Sequence, residues 1–197
     1  LFLPGIIEPG DEILYDVKCS KALEDVILRH GGKPIMWKTG HSLIKQKMSE
    51  VNCKLGGEMS GHIFFADDYF GYDDATYVAA RLVELLSKTD KKLSELKAEI
   101  HKYYSTPEMR MAAENDEEKF RITKEAVAYF TKNYDCSTVD GVRINFPDGW
   151  GLVRSSNTQP VIVCRFEASS PEKMEEYKNL VLTKLQSIGH LEIEAGH

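Results

Sequence analysis

The feature that most constrains the fold is a change of pattern near the middle of the chain. Strand-like and helix-like stretches alternate before it, and strands cluster together after it. Glu12 to Val17 reads as a strand. Ser20 then caps a predicted helix carrying Ala22, Leu23, Val26 and Ile27, which Gly31-Gly32 stops. Pro34 to Trp37 is a second strand, followed by Lys38-Thr39-Gly40-His41 and a helix through about Met48. Leu55–Gly57 and His62–Phe65 form a predicted strand pair around Glu58-Met59-Ser60-Gly61. An apolar stripe (Ala75, Val78, Ala79, Leu82, Val83, Leu86) predicts a helix from Asp73 to Leu86, and Leu93 to Ile100 predicts another. Such alternation specifies an α/β layer.

Past the turn-rich join of Lys102 to Pro107, Glu108 to Ala113 reads as a strand and Asp116 to Asn133 as a long helix. Three strands follow, Thr138–Phe146, Trp150–Ser155 and Val161–Ala168. A closing helix, Pro171–Ile188, puts Met174, Tyr177, Leu180, Val181 and Leu185 on one face. Strands grouped between two helices specify an α+β domain. The expectation is therefore an α/β layered domain over 1–101 and an α+β domain over 102–197. At 197 residues the chain is long enough for two domains of ordinary size.

Charge and composition narrow the class of partner. The 25 Lys+Arg against 31 Asp+Glu leave a net charge of −6, which disfavours a general nucleic-acid or polybasic membrane binder. No apolar run approaches the roughly 18 to 20 residues that span a bilayer. Cys19, Cys53, Cys136 and Cys164 form no C-x-x-C pair or zinc-ligand spacing. They read as small core or edge residues of a protein from a reducing, cytoplasmic compartment.

Two clusters could do chemistry. Gly56-Gly57-Glu58-Met59-Ser60-Gly61-His62 gathers a carboxylate, a hydroxyl and an imidazole within a glycine-rich turn. Vicinal sugar hydroxyls donate well to a carboxylate, and Ser and His complete a ring of polar contacts. The same residues equally suit an ordinary hairpin turn. Arg154-Ser155-Ser156-Asn157-Thr158-Gln159-Pro160 offers a guanidinium fork and hydroxyls matched to phosphate oxygens. By composition alone a hydrogen-bonded hairpin loop suits it better. Lys18 and His41 follow predicted strands, where ligands gather in α/β sheets. Asp67-Asp68 and Asp73-Asp74 resemble metal ligands, but loop solvation, with Asp73 or Asp74 as a helix N-cap, suits them better.

Taken together, these segments resemble the α-D-phosphohexomutases over essentially the whole chain. Gly57–His62 resembles their sugar-binding loop and Arg154–Pro160 their C-terminal phosphate loop. Asp16-Val17-Lys18-Cys19, Trp37–Ser42 and Gly149–Arg154 match further family segments in the right order. Met59 and Asn157-Thr158 point to the bacterial phosphomannomutase/phosphoglucomutase branch. A phosphoglucosamine or glucose-only mutase, or a non-catalytic phosphosugar-binding module, are the rival readings.

The resemblance implies interconversion of hexose 1- and 6-phosphates through a hexose 1,6-bisphosphate, with a phosphoserine donor and one Mg²⁺ ion. It implies that Lys18, His41, Glu58, Met59, Ser60, Gly61 and His62 contact substrate, His62 assisting proton transfer. Arg154, Ser155, Ser156, Asn157 and Thr158 would hold the phosphate that is not transferred. The chain carries no Ser-His-Asn-Pro-like loop and no Asp-Gly-Asp-x-Asp run. It therefore reads as the third and fourth domains of a four-domain enzyme, inactive alone, with N-terminal domains as partners and its metal ligands elsewhere. The helix that the family would place at Leu1 to Gly10 is broken by Pro4-Gly5, so a distorted or partly disordered start is expected.

Overall fold

The computed structural model describes residues 6–156 and 158–193. The chain divides into two compact units, Leu1–Lys102 and Tyr103–His197.

The first unit is built on a four-stranded sheet in the order β2-β1-β3-β4. Strands β1 (Glu12–Asp16), β2 (Lys33–Trp37) and β3 (Leu55–Gly57) are parallel, and β4 (Ile63–Phe65) runs antiparallel to β3. Central β1 is apolar on both faces because both are covered. Ile13 and Tyr15 pack with Ile27 of helix α1 (Lys21–Arg29), while Leu14 packs with Ile44 and Met48 of helix α2 (His41–Val51). Ser20 caps α1 by accepting from the Ala22 N–H. Ile6 to Gly10 forms turns, not a helix, and Leu1–Gly5 lies outside the described residues.

Helix α3 (Ala75–Ser87) lends Tyr77 and Val78 to the Ile13 side of the sheet. Its predicted apolar stripe is not a buried one, since Ala79 and Val83 face solvent. Asp74 is its cap, accepting from the Thr76 and Tyr77 N–H groups, so the helix starts two residues later than expected. Asp67 does more than solvate a loop. It takes two hydrogen bonds from Arg81, at 3.2 and 3.0 Å, and this pair anchors the 66–74 loop to α3. Helix α4 (Leu93–Ala98) is shorter than its predicted span.

In the second unit a seven-stranded antiparallel sheet is covered on one face by two helices. The strands are β5 (Tyr104–Ser105), β6 (Met109–Ala112), β7 (Asp135–Ser137), β8 (Val142–Phe146), β9 (Gly149–Ser155), β10 (Val161–Ala168) and β11 (Glu192–Ile193). The helices are α5 (Asp116–Asn133) and α6 (Pro171–Ile188). Ile122, Ala126 and Phe130 of α5 and Val181 and Leu185 of α6 close over Val142, Ile144, Val153, Ile162, Cys164 and Phe166. Leu180, predicted on that apolar face, is exposed instead.

The predicted strand Thr138–Phe146 is in fact part of a hairpin. β7 and β8 pair around residues 138–141, and Gly141 turns at φ +73°. A Cβ there would lie 2.2 Å from the Val153 carbonyl oxygen, so both conformation and space demand glycine.

Candidate functional site: two polar loop systems

In the first unit the loops that leave the carboxyl ends of β1, β2 and β3 converge, as ligand-binding loops do at the switch points of parallel sheets. Asp16, the last residue of β1, is fully buried and ties the three together. Its Oδ1 accepts from Cys19 Sγ (3.1 Å) and the Met59 N–H (3.2 Å), and its Oδ2 accepts from Thr39 Oγ1 (3.1 Å). Glu58 makes a second tie. Its Oε1 accepts from the Gly40 N–H (2.9 Å) and its Oε2 from Ser60 Oγ (3.1 Å). Gly40 donates from φ +135°, a conformation open to glycine and strained for other residues. A carboxylate has about four lone-pair sites, so Glu58 keeps capacity for further donors.

The turn Glu58–Gly61 is closed by the Gly61 N–H to the Glu58 carbonyl and the Glu58 N–H to the His62 carbonyl. Ser60, Gly61 and His62 are exposed, whereas the Met59 side chain packs against the Ile13 core. Met59 thus meets the site through its backbone. His62 Nδ1 lies 2.7 Å from Asp73 Oδ2. Burial pushes the Asp73 carboxyl up, but His62 and the local backbone outweigh this and hold it below the usual range. An ionised carboxylate only accepts, so Nδ1 carries the proton in this contact. The His41 ring is 5.9 Å from that of His62, at the start of α2. Lys18 is half-buried in the turn after β1.

In the second unit the loop after β9 is braced from both sides of the sheet. Arg154 is almost buried, and its Nε donates to Asp140 Oδ2 at 2.9 Å from the β7–β8 turn. Ser155 points the other way, its Oγ donating to Thr123 Oγ1 of α5 (2.8 Å). Ser156 Oγ accepts from the Thr158 N–H (3.3 Å), and the Ser156 N–H donates to the Val161 carbonyl (2.9 Å). Asn157 lies outside the described residues. The structure thus gathers Arg154, Ser156 and Thr158, and turns the Ser155 hydroxyl toward the helix.

Three supporting residues escape sequence reasoning: Asp16 as a hub, Asp140 behind Arg154, and Lys119, whose Nζ donates to the Ser156 and Gln159 carbonyls. Each partner is distant in sequence or ordinary in type, so only the fold reveals it. Among the described residues no group of three or more His, Cys, Asp or Glu side chains could hold a metal ion. No helix among them is long and apolar enough to cross a membrane.

Comparison with known proteins places both units. A family model described as phosphoglucomutase/phosphomannomutase, alpha/beta/alpha domain III, matches residues 5–104. The corresponding C-terminal domain model matches residues 108–184. A phosphomannomutase/phosphoglucomutase of Pseudomonas putida is 46% identical over 182 residues, which is 90% of this chain and 38% of that protein. One from Pseudomonas aeruginosa is 44% identical, over 95% of this chain and 41% of its own length. A crystal structure of a phosphoglucomutase/phosphomannomutase family protein from Burkholderia thailandensis superposes with a TM-score of 0.82 at 39% identity, covering 93% of this chain and 39% of that one. The chain spans about two fifths of the length of these relatives.

Proposed function

Because the chain belongs to the phosphoglucomutase/phosphomannomutase family, we propose that it supplies the sugar- and phosphate-recognition parts of a mutase that interconverts hexose 1-phosphates and hexose 6-phosphates. The first unit reads the hexose hydroxyls and the second holds a phosphate. The observation that carries this is Glu58. Its carboxylate is fixed by Gly40 and Ser60 yet retains acceptor sites, in a loop cluster that also bears Lys18, His41 and His62.

The roles follow from the chemistry. Glu58 accepts from sugar hydroxyls, and Ser60 and Gly61 line the exposed turn. Lys18 and His41 offer donors from the turn after β1 and from the start of α2. His62, oriented by Asp73 through Nδ1, leaves Nε2 to exchange a proton at the reacting oxygen, the usual division of labour in an Asp–His pair. Met59 contributes its backbone only. Arg154, Ser156, Asn157 and Thr158 hold the phosphate that does not react, and Ser155 braces that loop against α5. Anchoring the unreactive phosphate orients the sugar and supplies binding energy for the reacting end.

Such a reaction also calls for a phosphoserine and a Mg²⁺ ion, and among the described residues no group of three or more His, Cys, Asp or Glu side chains could hold the ion. A magnesium complex is known for a fold neighbour, an N-acetylphosphoglucosamine mutase from Aspergillus fumigatus, at 12% identity. The metal and the phosphoryl donor belong, in this reading, to N-terminal domains of a longer, cytoplasmic enzyme. The ion would there neutralise charge on the transferring phosphoryl group.

The test is calorimetric titration of the chain with glucose 1,6-bisphosphate beside a coupled assay for glucose 6-phosphate. Binding without turnover is expected, and Glu58→Gln, which removes the charge and replaces one acceptor oxygen by an NH2 donor, weakens binding at least tenfold. Affinity unchanged within twofold in Glu58→Gln would remove the sugar-site assignment. Turnover by the pure chain would remove the division of labour.

A further inference from the structure

Lys119 occupies a costly position. It sits in the first turn of α5, where the helix dipole disfavours a cation, and its side chain is only 3% exposed. Withdrawing an ammonium from water costs several kcal/mol unless its donors are met. Here all three are met. Nζ donates to Asp116 Oδ1 (2.6 Å), to the Ser156 carbonyl (3.0 Å) and to the Gln159 carbonyl (3.0 Å). Two of the three acceptors are therefore backbone atoms of the loop after β9, 37 and 40 residues further along the chain.

The sheet geometry gives this clamp a direction. Side chains alternate across a strand. Val153 packs into the core beneath α5 and α6, and Ser155 bonds Thr123 of α5. Arg154, between them, projects from the opposite face, where Asp140 receives it. Lys119 thus draws two carbonyl oxygens toward the helix side, away from the face that presents Arg154. Carbonyl dipoles turned the other way would repel an anion there.

We propose that Lys119 is a positioning residue of the phosphate loop, holding the Ser156 and Gln159 carbonyls back so that the Arg154 face accepts a phosphate. The proposal rests on reading Arg154–Thr158 as a phosphate site, and the experiment separates the two. The whole chain is titrated with glucose 1,6-bisphosphate as wild type, Arg154→Ala, Lys119→Met and Asp116→Asn. Amide exchange at Thr158 is followed by NMR.

Arg154→Ala is expected to weaken binding at least tenfold. Lys119→Met weakens it three- to tenfold and speeds Thr158 exchange at least tenfold. Asp116→Asn, which alters only the outer leg of the clamp, stays within twofold. Arg154→Ala weakened with Lys119→Met within twofold of wild type overturns the role of Lys119 and leaves the loop reading standing. Asp116→Asn as weak as Lys119→Met also overturns it, because the effect would then be one of helix-end stability. Arg154→Ala within twofold of wild type overturns the loop reading and the proposal with it. Should Lys119→Met not fold, Lys119→Gln, whose shorter, neutral side chain carries two N–H donors in place of three, is read by the same thresholds.

Discussion

Asp16 is the residue whose loss reaches furthest across the first unit, because one carboxylate serves three loops. Replacing it with alanine leaves the Met59 N–H and the Thr39 hydroxyl without this acceptor. We expect Asp16→Ala to lower stability by about 3 kcal/mol, measured by urea unfolding, and to weaken sugar-phosphate binding although Asp16 need not touch the ligand. At this scale the sequence displays which residue types gather, as in Glu58–His62 and Arg154–Thr158, because those clusters are contiguous. It does not display what holds them. Asp140 lies 14 residues before Arg154 and Lys119 lies 37 before Ser156, and neither has a local pattern to mark it.

The β7–β8 turn delivers Asp140 to Arg154 only because Gly141 can sit against the Val153 carbonyl. Gly141→Ala imposes both a positive φ and a 2.2 Å contact. It should cost about 3 kcal/mol and lower phosphate affinity in any fraction that folds. Thermal unfolding and titration of the same sample check this. Helices and central strands were legible from apolar period and caps: Ser20, Pro171 and the Ile13–Tyr15 run stand where the pattern puts them. The hairpin at 138–141 was not. Val142 and Ile144 alternate like any strand, and a single glycine does not announce a reversal. The α3 stripe marked its helix, Ala75–Ser87, but not how much of it is covered. Apolar period specifies a helix, but burial of Val83 depends on a neighbour, and none among the described residues covers it.

For the whole molecule, stability should follow the carboxylates that pair within the fold. Burial pushes the Asp67 carboxyl up, but the Arg81 guanidinium and nearby backbone N–H groups outweigh it and hold it below the usual range. A carboxyl with a lowered folded-state pKa contributes stability that is fully present above the unfolded value, about pH 4, and is lost as pH falls through the folded value. Asp73 and Asp74 act in the same direction. The melting temperature should therefore drop between about pH 5 and pH 3, and less steeply in Asp67→Asn, which at neutral pH costs about 1–2 kcal/mol. Differential scanning calorimetry across that range reads both. The central claim is that one loop cluster in the first unit reads the sugar and one loop in the second holds phosphate. Its most direct test is a ¹H–¹⁵N NMR titration of the chain with glucose 1,6-bisphosphate. The account predicts shifts concentrated at Thr39–His41, Glu58–His62 and Arg154–Thr158; saturable shifts elsewhere, with these three segments unmoved, would contradict it.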